Sequence, residues 1–114
     1  MKRTLNRYTL ILLSGFLFSC NQHTTIEEFT RAEQLMLSHP DSALILLESI
    51  PSPEKMSRAD YAAYCLLLTE AQDKNYYTFT TDSVIRVAAE YFLDKGDNHV
   101  KARVYYIWGR LNHS

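Results

Sequence analysis

The chain has 114 residues, enough for one small domain. A formal charge of −1 without any basic run argues against nucleic acid, whose binding depends on neutralising phosphates. Two cysteines alone argue against a disulfide framework.

Lys2, Arg3 and Arg7 make a basic start, and Tyr8 to Phe18 is then almost wholly apolar, interrupted by Thr9, Ser14 and Gly15. Leu17-Phe18-Ser19-Cys20 closes this segment. A basic region, a short apolar core and a small residue before a cut form the secretory pattern. The core is too short to span a bilayer, which takes roughly 20 apolar residues. Leu17, Ser19 and Cys20 in this order resemble a bacterial lipoprotein signal. The resemblance implies export, removal of residues 1–19 and acylation of Cys20, with palmitate-type chains on its sulfur and amino group. One acyl chain binds a membrane marginally and several anchor it stably, so the lipid bilayer is the first partner expected. By analogy with the sorting of such lipoproteins, Asn21 in place of aspartate after the cysteine implies the outer membrane rather than the inner, with the chain facing the periplasm or the surface. The mature chain from Cys20 has nine Lys+Arg against 13 Asp+Glu, a net of −4.

Residues 20–25 read as a lipidated polar tether, and residues 26–114 as a helical domain. Gly and Pro number three each, and no run alternates with a period of two between turns. Thr24 and Thr25, three residues before Glu27 and Glu28, form a capping box. They open a first helix from about Ile26 to Ser38, with an inward stripe of Ile26, Phe29, Ala32, Leu35 and Met36. His39-Pro40 stops it. A second helix, about Asp41 to Ile50, carries Ala43, Leu44, Leu47 and Ile50, and Pro51-Ser52-Pro53 ends it. Ser57 caps a third, to about Lys74, with Tyr61, Tyr64, Cys65, Leu68 and Ala71 inward. Cys65, inside an apolar helical run, reads as a buried structural thiol. After a loop from Asn75 to Thr80, Thr81 or Asp82 caps a fourth helix to about Lys95. Its stripe is Val84, Ile85, Ala88, Tyr91 and Phe92, and Gly96 stands where a left-handed stop is expected. A fifth, about Asn98 to Leu111, presents Val100, Val104, Ile107, Trp108 and Leu111. Short links predict antiparallel neighbours, one with two and three with four. The fifth is then left without a partner and half covered, so either a fragment of a longer solenoid, the favoured expectation, or a face that docks onto another molecule is expected.

Pro40-Asp41-Ser42-Ala43-Leu44 with Leu47 resembles the second helix of a tetratricopeptide repeat, where a small alanine lets two helices approach. Ala88 and Phe92 repeat that pair, and Tyr105 and Gly109 resemble the large-then-small pair of a repeat's first helix. Ala43 and Ala88 are 45 positions apart, longer than the usual period of about 34, and the linkers at Pro51–Met56 and Asn75–Thr80 take up the excess. Phrases such as Ala32-Glu33-Gln34-Leu35-Met36, Leu66-Leu67-Leu68-Thr69-Glu70-Ala71 and Asp82-Ser83-Val84-Ile85 are similar to tetratricopeptide lipoproteins of the Bacteroidetes type. The resemblance implies an all-α array of antiparallel helix pairs outside the cytoplasm, about two and a half pairs here, that binds protein or peptide. In longer members similar repeats precede a membrane helix and a signalling or transcription-regulating part. A truncated sensory input module is therefore the alternative reading.

No catalytic constellation emerges. His23, His39, His99 and His113 are scattered without ligand spacing, and Asp94-Lys95-Gly96-Asp97-Asn98 lacks the pattern of a calcium loop. No enzyme activity, cofactor, metal or small-molecule substrate is expected. Aromatic side chains suit peptide binding, which makes Tyr76, Tyr77, Tyr105 and Trp108 candidate partner-binding residues. Asp41-Ser42-Ala43 and Asp82-Ser83-Val84 resemble bacterial O-glycosylation acceptors, with Ser42 and Ser83 as candidates. The competing expectation is that each aspartate caps a helix.

Overall fold

The computed structural model describes residues 26–113. The signal segment, Cys20, the tether, the capping box at Thr24 and Thr25, His23 and Ser114 lie outside the described residues. Five helices follow one another: α1 (residues 26–35), α2 (Pro40–Glu48), α3 (Arg58–Lys74), α4 (Ser83–Lys95) and α5 (Asn98–His113). A 3₁₀ turn, Pro53–Lys55, lies between α2 and α3. The described residues contain no strand, and none of their helices is long and apolar enough to cross a membrane.

The core is built from small and branched residues on all five helices. Ala32, Ala43, Leu47, Ile85, Ala88 and Val104 are fully buried, and Met36, Ile50 and Ile107 nearly so. The alanines matter because a short side chain lets two backbones close together, and close contact is where dispersion accumulates. α3 departs from the single stripe its sequence predicts. Ala62, Leu66, Leu67 and Thr69 are buried as well as Cys65 and Ala71. The cause is its central place: α3 packs against α2, α4 and α5. Its one buried polar side chain is satisfied locally, the Thr69 hydroxyl donating to the Cys65 carbonyl at 2.8 Å.

α5 is not left without a partner, as its sequence suggests. It lies against α4 and α3, and Val104 and Ile107 carry its apolar stripe into the shared core. Two stripe residues fall outside: Ile26 is 62% exposed and Val84 38%.

The helix ends differ from expectation in instructive ways. α1 gives way to a turn at residues 36–38. His39 occupies the N-cap of α2, and Pro40 opens the helix, a position where proline loses no hydrogen bond. Asp41 therefore sits inside the first turn and does not cap. Ser57 caps α3 as expected, accepting from the Asp60 N–H at 3.2 Å. Asp82 holds the N-cap position of α4, but its side chain makes no capping bond; the Thr81 hydroxyl accepts the Ser83 N–H at 3.2 Å instead. Asp97 caps α5 through the Val100 N–H at 2.9 Å.

The left-handed stop is displaced by one helix. Gly96 is extended, with φ −82° and ψ 162°. Its missing side chain has another use, since a Cβ there would meet the Phe92 carbonyl oxygen at 2.7 Å. Two other residues are left-handed: Ser52, φ 49°, before the 3₁₀ turn, and Tyr76, φ 62°, after α3. The Tyr76 N–H donates to the Asp73 carbonyl at 3.1 Å and the Tyr77 N–H to the Gln72 carbonyl at 3.0 Å. These two bonds close α3 as a Schellman motif. Asn75 secures the same corner: its side-chain amide donates to the Pro40 carbonyl at 2.9 Å and to the Ala71 carbonyl at 2.7 Å.

Candidate functional site

A concavity lies between alternate helices. A cavity of about 450 Å³ is walled by Glu33 of α1 and Met36 and Leu37 just after it, by Glu70 and Asp73 of α3, and by His99, Arg103 and Tyr106 of α5. A second, of about 240 Å³, is more apolar, with Phe29, Leu66, Phe92 and Val100 on its walls. Glu33 and Arg103 belong to both linings.

Helical spacing places these groups. On α5, Val100, Val104 and Ile107 turn towards α3 and α4, and Arg103 and Tyr106 lie to one side of that stripe, over the groove. On α3, Glu70 and Asp73 share a face three residues apart. Arg103 is the centre of the arrangement. Its Nε and Nη2 donate to the two carboxylate oxygens of Glu70 at 3.1 and 2.6 Å, and its Nη1 donates to Glu33 at 2.7 Å. Burial acts to discharge this guanidinium, but the hydrogen bonds and charge of Glu70, then of Glu33, outweigh it and hold the group firmly cationic. Nearby, Arg110 Nε donates to Asp73 at 2.9 Å, and that carboxylate raises the Arg110 guanidinium above its ordinary range. Three helices are thus joined by two arginines from α5.

The aromatic candidates are not brought together. Tyr76 is 93% exposed at the end of α3, and Tyr77, half exposed, meets Phe79 edge-on with ring centres 6.5 Å apart. Tyr105 is exposed on the outer side of α5. Trp108 is partly buried and hydrogen-bonded to Asp82. None of the four lines either cavity. The groove instead uses Tyr106, Arg103, Glu33 and Glu70, which sequence reasoning passed over. A signal was present: Glu70 stands between Thr69 and Ala71 after a long apolar run, and Arg103 stands beside Val104. Charges in such settings need partners.

Ser42 and Ser83 are exposed in the first turns of α2 and α4. Cys65 is a buried free thiol; burial pushes it above its ordinary range, against the opposing hydrogen bond of Tyr61. Among the described residues no three His, Cys, Asp or Glu side chains gather where they could hold a metal ion.

Compared with known protein families, curated proteins and solved structures, the chain matches none.

Proposed function

We propose that this chain is a lipid-anchored helical scaffold that binds a protein or peptide segment in the groove of α1, α3 and α5 and performs no chemistry of its own. In this reading Cys20 carries the acyl chains, residues 21–25 are the tether, and the helices form a tetratricopeptide-type array. α1 pairs with α2, α3 with α4, and α5 is the first helix of a third unit. The outer membrane is the favoured site.

The observation that carries the binding role is the groove itself. Its main cavity takes its named walls from the odd-numbered helices and the turn after α1, the side on which a stacked array of helix pairs presents a continuous concave surface. The equivalent helices α2 and α4 each bury an alanine completely, Ala43 and Ala88. The anchor rests on Leu17-Phe18-Ser19-Cys20 after its apolar core.

Fractionation of cells that express the Cys20→Ser chain tests the anchor. The wild type is expected in the membrane fraction and the variant in the soluble envelope fraction. An unchanged membrane distribution would contradict it.

A further inference from the structure

We propose that the groove accepts an acidic segment of a partner protein, with a carboxylate of that segment replacing Glu33 on the Nη1 of Arg103. Glu33 is then a built-in competitor for the site. This rests on the groove being the binding surface.

The two carboxylates on Arg103 are not equivalent. Glu70 holds the guanidinium with both oxygens, and its side chain is only 17% exposed. That pair is a fixed part of the structure and sets the plane of the arginine fork. Glu33 offers a single bond from a side chain 51% exposed. Exposed single contacts of this kind are weak, because each partner is nearly as well served by water. Glu33 can swing into solvent from α1 while Arg103 stays on Glu70. The bond so broken joins the two residues common to both cavities.

Charge complementarity names the occupant. Glu70 is matched by Arg103, and Asp73 by Arg110. With Glu33 turned away, the unmatched cations on the larger cavity are the free edge of Arg103 and Lys74. Met36, Leu37, Tyr106 and Ile107 supply apolar wall. A segment that alternates acidic and apolar side chains satisfies both features. An uncharged segment would leave Glu33 in place.

The test uses the full chain in detergent micelles and two fluorescein-labelled octapeptides, one alternating leucine with aspartate and one alternating leucine with asparagine. Fluorescence anisotropy gives each affinity for the wild type, Glu33→Ala and Glu33→Gln, and thermal unfolding checks that the variants remain folded. Loss of an exposed competitor and its like charge is expected to tighten the aspartate peptide roughly three- to tenfold in Glu33→Ala, with a smaller gain in Glu33→Gln. The asparagine peptide should change less than about twofold. If the aspartate peptide binds and does not respond to either substitution, or if both peptides tighten equally, the exchange is wrong while the groove reading stands. If neither peptide binds any form, the exchange and the groove reading fall together.

Discussion

The indole N–H of Trp108 donates to Oδ2 of Asp82 at 3.0 Å, joining the middle of α5 to the first residue before α4 across 26 positions of sequence. Asp82 also receives Arg86 through both oxygens, at 3.0 and 3.2 Å. A residue that reads as a helix cap is thereby diverted to a tertiary contact, and a tryptophan that reads as exposed apolar surface is held by its polar edge.

This contact has a pH signature. The Trp108 bond first, and the Arg86 bonds second, hold the Asp82 carboxyl below its ordinary 3.8, against a smaller opposing effect of burial. A depressed carboxylate stabilises the fold fully above its unfolded value, and that contribution is lost as pH falls through the folded value. The loss therefore lies below about pH 4. Trp108→Phe keeps the ring and removes the donor. Asp82, followed by carboxyl-resonance NMR, should then titrate closer to 3.8. A titration unmoved by the substitution would show that the indole bond is not formed in solution.

Three backbone positions should respond in opposite directions to small substitutions. Gly96→Ala drives a Cβ against the Phe92 carbonyl and should cost about 1–3 kcal/mol, the usual price of an overpacked contact. Gly109 has nothing within 4 Å of where a Cβ would stand, so Gly109→Ala should gain about 0.5–1 kcal/mol from helix propensity. Tyr76→Gly removes a side chain from a left-handed residue and should gain about 1 kcal/mol, after the added freedom of the unfolded chain is counted. Chemical denaturation of the three variants checks the order. A stabilising Gly96→Ala would refute the close approach.

The two carboxylates on Arg103 should separate in double-mutant cycles on unfolding. The coupling of Arg103 with Glu70 is expected at about 1.5–3 kcal/mol, as for charged hydrogen bonds in a partly buried setting. The coupling with Glu33 should be below about 1 kcal/mol. Equal couplings would mean that Glu33 is as firmly fixed as Glu70.

Much of the scaffold was legible because helical periodicity is a local signal. Ala43 and Leu47 of α2, Ile85 and Ala88 of α4, and Val104 and Ile107 of α5 all stand on predicted stripes and are buried. Ser57 was legible as a cap because the bond it makes is only three residues long. What stayed hidden depends on which helices meet. Leu66 and Thr69 gave no stripe, since the neighbours that cover α3 on further sides are distant in sequence. Gly96 misled because its constraint is a nearby carbonyl and not a positive φ. Arg103 could be read as a charge in need of a partner, but not as the centre of a site, because Glu33 is 70 residues away and Glu70 is 33. The aromatic candidates failed to converge for the same reason: residue type indicates what can bind, while tertiary packing decides which side chains face one space.

The most direct measurement is intact and N-terminal peptide mass spectrometry of the native protein extracted from membranes. The expected result is a chain that begins at Cys20 and carries diacylglycerol on the sulfur with a further acyl chain on the amino group. A chain that begins at Met1, or a Cys20 without fatty acid, would contradict a scaffold tethered to the bilayer by its first mature residue.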